Sequence, residues 1–252
     1  MKALQVIYTL WLREMLRFMR SRSRMIGAVS MPLMFLIILG PAFGSSLQFR
    51  GIPNYLDFLA PGIIGMTVLF ASMMGGVSII WDREFGFLKE ILVAPVNRFF
   101  VALGKAIGGV TTAMIQGVLM MVIAGMMGVQ YVSFYGALLS IAVIFLIGLG
   151  FIGLGIALAS KIESHEGFQM VISFLMLPIF FLSGALFPIE GLPTWLEYLV
   201  YLDPLTYGVD ALRACLLGTS TFPLTLNLFI ITVFAMITIS IGAHLFDKTA
   251  IS

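Results

Sequence analysis

The sequence predicts an all-α integral membrane protein. It should hold six transmembrane helices, an N-terminal amphipathic interfacial helix, a cytoplasmic helix after the second span, and two short outer-leaflet helices before the sixth. Three observations predict this. Of 252 residues, 60% are hydrophobic and only 10% charged, whereas roughly a quarter of an average soluble chain is charged. Six apolar stretches reach the ~20 residues that cross a bilayer, with no charge near their middles. Lys and Arg gather between alternate stretches, the mark of a fixed orientation. Residues 1–252 form a single transmembrane domain.

Residues 3–20 come first. Leu4, Ile7, Tyr8, Trp11, Leu12, Met15 and Met19 recur at helical spacing, and Arg13, Arg17 and Arg20 take another face. A basic face opposite a Trp-bearing apolar face suits a helix lying at the cytoplasmic interface. The alternative is a plain positive-inside anchor. The first apolar run begins at Ile26, behind this basic helix and without a small-residue cleavage site, so no secretory signal is expected.

The spans fall at 26–43, 59–80, 106–127, 135–159, 168–186 and 224–245. With the N-terminus inside, the inner parts hold Lys2, Arg13, Arg17, Arg20, Arg22, Arg24, Arg83, Lys89, Arg98, Lys105, Lys161 and Lys248. The outer parts hold Arg50 and Arg213, a split of 12 to 2 among the 14 Lys and Arg. Both termini are therefore expected in the cytoplasm of a multi-pass protein of the cell membrane. Small residues stand four apart at Gly104 and Gly108, Ala71 and Gly75, Ser72 and Gly76, Gly153 and Ala157, and Gly155 and Ala159. Such spacing lets helices approach closely in lipid, within one subunit or between two.

The inner loop Trp81–Arg98 reads WDREFGFLKEILVAPVNR. Phe85, Leu88 and Leu92 share one helical face, Asp82, Arg83, Glu84, Lys89, Glu90 and Arg98 supply mixed charge, and Pro95 ends the helix. One apolar face with mixed charge suits docking in a groove of a soluble partner; the alternative is a solvated loop. The second inner loop, Lys161–Gly167, carries Glu163, His165 and Glu166. No third helix adds His, Cys or carboxylate to them, so a metal site is not expected, and a smaller docking contact is.

The segment 189–218 is too polar to span and too apolar for an ordinary loop. Pro193 suits the first turn of a helix to about Leu202. Asp203 before Pro204 reads as a cap opening a second helix, which stops at Gly218. Two helices lying in the outer leaflet are expected, with Trp195, Tyr198, Tyr201 and Tyr207 at headgroup depth and Asp210 pairing with Arg213 three residues on. The single Cys215 excludes an intrachain disulfide; a buried thiol or a cross-chain bridge remains.

Some chemistry is missing. Gly104-Lys105 resembles the tail of a phosphate-binding GxxxxGK[ST] loop, but Ala106 follows and Phe99 stands where Gly is needed. No charge lies deep in a span, as proton relays and ion-coupled carriers require. Gln116 and Asn227 are the deep polar side chains. No nucleophile–base set marks an enzyme.

Three blocks resemble the type-2 permeases of ABC transporters, the family of drug, lipid-linked and polysaccharide exporters, and most of all its multidrug and antibiotic-resistance branch. They are FLAPGIIGMTVLFASMMGGVSIIWDREFGFLKEILVAPVNRFFVALGKA from Phe58, the small-residue-rich fourth span, and FLSGALFPIEGLPTWLEYLVYLDPLTYGVDALR from Phe181. The resemblance implies a permease subunit of an ATP-driven exporter of a drug, lipid or glycan-linked lipid. It implies a second permease copy, identical or not, and an ATP-binding cassette subunit holding ATP and Mg. No cofactor in this chain and no nucleic-acid partner are expected, and membrane lipids surround it.

By the same resemblance Asp82–Arg98 is the coupling helix, Lys161–Gly167 the lesser contact and residues 3–20 the connecting helix. The path runs at the dimer axis past Met66, Phe70, Met73, Phe180, Phe181 and Ser183, and Leu186 and Phe187 form an outer gate above it. Two other functions compete: a secondary carrier without an ATPase, and a non-transporting anchor or sensor of the same fold.

Overall fold

The computed structural model describes residues 3–46, 54–86, 98–162, 164–189 and 191–249, and no strand occurs among them. Six helices are long and apolar enough to cross a membrane. In chain order the elements are α1 (Ala3–Arg20), α2 (Arg22–Ser46), α3 (Tyr55–Gly75), α4 (Val77–Glu84), α5 (Arg98–Met126), α6 (Phe134–Lys161), α7 (His165–Leu182), α8 (Thr194–Leu202), α9 (Pro204–Leu217) and α10 (Leu224–Thr249).

Local signals set several starts. Asn54, Ser133, Ser164 and Asp203 each accept a backbone N–H from the first turn that follows, opening α3, α6, α7 and α9. The second span is longer than expected and is interrupted at Gly76, between α3 and α4. A side chain at Gly76 would collide with the Gly155 carbonyl of α6, so the break sits where two backbones touch.

The core is built around α3, whose residues from Leu59 to Leu69 are all buried. On one side it packs on α5, on another on α6, and α10 lies along α6. The glycines of the fourth span make that last contact: a Cβ at Gly153 would fall 2.6 Å from the backbone of Thr238, and Thr238 Oγ1 donates to the Gly150 carbonyl at 2.8 Å. Gly104 and Gly108 receive α1 instead of another span, against Ile7, Leu10 and Glu14. α1 therefore packs on protein through Val6, Leu10 and Phe18, while Leu4, Tyr8 and Met19 stay exposed. Gly75, Gly76, Gly104, Gly108, Gly153 and Gly155 thus each meet another helix of the same chain.

The outer segment differs from expectation in one respect. Of its two helices only α8 is peripheral, with Trp195 and Tyr198 exposed. α9 is inserted among α3, α6 and α10, with Leu205, Val209 and Leu212 fully buried. Tyr207 is buried too, its hydroxyl donating to the Tyr201 carbonyl at 2.9 Å. Cys215 is buried on the same helix as a free thiol, and burial pushes its pKa up, so it packs as a small apolar side chain.

Candidate coupling site and outer closure

Asp82 was expected on an exposed docking face. It lies buried near the C-terminal end of α4, 1% exposed. Arg13 of α1 donates two hydrogen bonds to its carboxylate, at 2.7 and 2.9 Å. Lys105 of α5 donates a third and also reaches the Ser78 carbonyl at 3.3 Å. Arg17 stands 3.6 Å away, and Glu14 pairs with Arg17 at 3.6 Å. The hydrogen bond to Asp82 holds the Arg13 guanidinium above its usual range, against the opposing effect of burial.

A buried carboxylate is costly alone and tolerable when several donors satisfy it. Here one carboxylate fixes three elements together: the interfacial helix, the inner end of the second span and the start of the third. Pairs so distant in sequence are not legible from spacing. The available signal was that Asp82 and Lys105 both flank apolar runs, where an unpaired charge is expensive.

Beyond Asp82 the chain turns outward. Glu84 ends α4 and is exposed, Phe85 is 83% exposed, and Gly86 takes φ +73°, a left-handed turn that stops α4 there. Asp82, Arg83 and Glu84 thus finish α4, and Arg98 opens α5. Leu88, Lys89, Glu90 and Leu92 lie outside the described residues, as does Glu163. Arg98 donates to the Asp247 carbonyl at 3.2 Å, tying the base of α5 to the end of α10.

The two inner loops meet. Arg83 donates to the carbonyls of Ile162 and Ala159, at 3.3 and 3.5 Å, at the end of α6. The Trp81 and His165 rings stack with centroids 5.8 Å apart. Glu166, exposed in the first turn of α7, stands beside this junction. Among the described residues no group of His, Cys, Asp or Glu is placed to hold a metal ion.

The six expected path residues do not share one surface. Met66 and Phe70 line a cavity of about 360 Å³ enclosed by α1, α2, α3, α4 and α5. Met73 is fully buried. Phe180 is buried edge-on against Phe35 of α2, 6.1 Å between centroids. Ser183 is buried and caps the end of α7, donating to the Phe180 carbonyl. Phe181 alone is open, at 51% exposure.

At the outer end, α7 stops at Leu182, and Gly184 at φ +66° turns the chain back. Leu186 and Phe187 then part company. Leu186 is buried in the core of the single chain, its carbonyl accepting the Tyr55 hydroxyl at 2.9 Å, so it is not free to meet a second copy. Phe187 is exposed. The expected Asp210–Arg213 pair is also replaced. Arg213 donates to the Gly184 carbonyl at 2.7 Å and lies 3.9 Å over the Phe58 ring, and burial lowers its pKa to about 10. Asp210 accepts from the backbone of Thr221 and Phe222 and from Asn227, at 2.8 to 2.9 Å. The arginine holds α9 against α3 and the turn after α7; the aspartate anchors the start of α10.

Residues 5–217 match the family model described as ABC-2 type transporter. The chain is 32% identical over 245 residues to a putative transport permease ycf38 of Cyanophora paradoxa, covering 96% of this chain and 83% of that protein. It is 26% identical over 211 residues to nodulation protein J of Rhizobium leguminosarum bv. trifolii, covering 82% and 80%. It is also 26% identical over 176 residues to a probable multidrug ABC transporter permease, YbhR, of Escherichia coli, covering 69% of this chain and 47% of that protein. Permeases of this family are multi-pass membrane proteins, are not themselves catalytic, and normally partner with an ATP-binding subunit. With six spans, the buried α9 and a match over most of its length, the chain belongs to the ABC-2 type transporter family.

Proposed function

We propose that this chain is the membrane subunit of an ATP-driven exporter for an amphipathic or lipid-like substrate, with ATP and Mg held by a separate ATP-binding cassette subunit. The observation that carries this reading is the joint at Asp82. A push on the inner loop beside Glu84 and Phe85 reaches α3 and α4 directly, and through Arg13 and Lys105 it reaches α1 and α5. Arg83, and the Trp81–His165 contact, pass it to the second inner loop and the base of α7. Such a joint turns a local contact with a soluble partner into movement of several spans.

Two copies complete the path. α7 is the most weakly packed span of the chain, and Met170, Phe174 and Phe181 are exposed along it. A second permease would cover that face, with Phe187 at its outer end forming the closure. Both termini lie in the cytoplasm on the strength of the charge asymmetry.

The test is uptake of a fluorescent amphipath into inside-out vesicles holding the permease and its ATPase. Uptake that requires ATP hydrolysis supports the reading. Uptake driven by a proton or sodium gradient with the ATPase inactive would replace it with a secondary carrier.

A further inference from the structure

The cavity beside α3 has the makings of a binding site inside one subunit. Its volume, about 360 Å³, falls in the ~300–1,000 Å³ range of small-molecule sites. One wall is apolar, formed by Met31 and Pro32 of α2 with Met66, Phe70 and Met74 of α3. Glu14 and Lys105 stand at the cavity's inner end, and Gln116 lies deeper, about three turns farther along α5. The cavity opens past Gly27 and Met31, both exposed, onto an apolar furrow along the outward face of α2 that the same two residues help to line.

Two polar groups lining the cavity have unmet hydrogen-bonding capacity, one at each end. Gln116 is 5% exposed, and its amide oxygen is buried with no partner. Glu14 Oε1 is likewise buried without a hydrogen bond, with Arg17 no nearer than 3.6 Å. A buried polar group left unpaired costs free energy, so a donor that satisfies the Gln116 oxygen is favoured there. Lys105 offers little, because Asp82 and the Ser78 carbonyl already engage it. Arg13, Arg17 and Lys105 outnumber Asp82 and Glu14 by one, but that cluster lies at the Lys105 end of the cavity, ~16 Å along α5 from Gln116. Around Gln116, Met66 and Phe70 make the walls apolar and an ionised head costly. The vacancy is for a neutral donor rather than an ion.

We infer that this cavity binds a single-chain, uncharged amphipath, its hydroxyl or amide head donating to the Gln116 amide oxygen and its tail passing Met31 into the furrow on α2. Met66 and Phe70 were expected on the export path, so the site rests on and deepens the exporter reading. Occupancy needs neither ATP nor a second subunit, so its failure is distinguishable from failure of export.

Trp81 lines the cavity and reports on it. The full chain, with Trp11→Phe and Trp195→Phe leaving Trp81 as its one tryptophan, is placed in phosphatidylcholine nanodiscs. It is titrated with a monoacylglycerol brominated on its chain. Quenching is expected to saturate. Gln116→Leu should weaken it by about five-fold, the loss of one hydrogen bond. Gly27→Phe should remove the saturable part, since a side chain at Gly27 meets open space and fills the mouth without a clash. A brominated fatty acid, whose head accepts but does not donate when ionised, should bind several-fold more weakly. Quenching that never saturates, that survives Gly27→Phe unchanged, or that is equally strong with the fatty acid would overturn the assignment.

Discussion

Arg13 and Asp82 are 69 residues apart in sequence and meet through two hydrogen bonds of 2.7 and 2.9 Å. With Lys105 they bind α1 to the second and third spans. The carboxylate is fully engaged, so its removal leaves the buried Lys105, and the half-buried Arg13, without their counter-charge.

Asp82→Ala should therefore cost about 3–5 kcal/mol, the usual penalty for breaking a buried pair from one side. Glu84→Ala, two residues on and exposed, should cost little. Thermal unfolding of the purified variants, followed by size-exclusion chromatography, checks this. Equal midpoints for the two would mean that the cluster does not hold the fold together.

Arg213 makes a second, outer joint. Arg213→Lys keeps the charge but loses the planar stack on Phe58 and the forked geometry that reaches Gly184. A loss of roughly 1–3 kcal/mol is expected. Faster proteolysis between α7 and α8 should accompany it, because Arg213 pins the turn after α7. Unchanged stability and cleavage would remove the joint from the account.

Asp203 gives the outer segment a pH dependence. Its Oδ1 caps α9 at 3.0 Å from the Leu205 nitrogen, its Oδ2 is buried without a partner, and burial raises the pKa from 3.8 to about 8. The folded state then keeps a proton that the unfolded chain gives up near pH 4. Stability contributed by that proton is full below pH 4 and declines as pH rises towards about 8. Asp203→Asn retains the cap without titrating. The native chain should lose stability between pH 6 and 8.5, and the variant should lose clearly less over that interval. Parallel profiles would mean that Asp203 is ionised throughout.

Orientation is tested by a membrane-impermeant thiol reagent on intact cells. Thr219 and Lys248 are both exposed, and the one native thiol, Cys215, is buried. Thr219→Cys should label and Lys248→Cys should not. The reverse pattern would invert the topology.

The spans and the cap at Asp203 were legible because their causes are local. The caps at Asn54, Ser133 and Ser164 were not read, and the second and third spans start earlier than expected. Apolar length sets a span, and Asn54, Ser133, Ser164 and Asp203 each cap the helix that follows them. The burial of α9 was not legible. Its mix of apolar and polar residues fits a membrane surface as well as a protein interior, and only the packing of Val209 against Gly65 and of Ile147 against Gly208 decides between them. The cluster at Asp82 was hidden for a related reason: a charge flanking a span looks the same from sequence whether water or Arg13 satisfies it. Leu186 and Phe187 read as a pair, yet the left-handed turn at Gly184 sends one into the core and leaves the other outside.

The central claim is that the inner end of α4 meets an ATP-binding subunit, and photocrosslinking tests it most directly. With p-benzoylphenylalanine in place of Phe85, 83% exposed and just beyond the ion cluster, illumination of membranes holding the permease and its ATPase should give one product at the summed mass of the two. The same probe in place of Phe134, exposed at the far end of α6, should give none. Crosslinks from position 85 only to lipid or to a second permease, with the ATPase present and bound, would contradict the account.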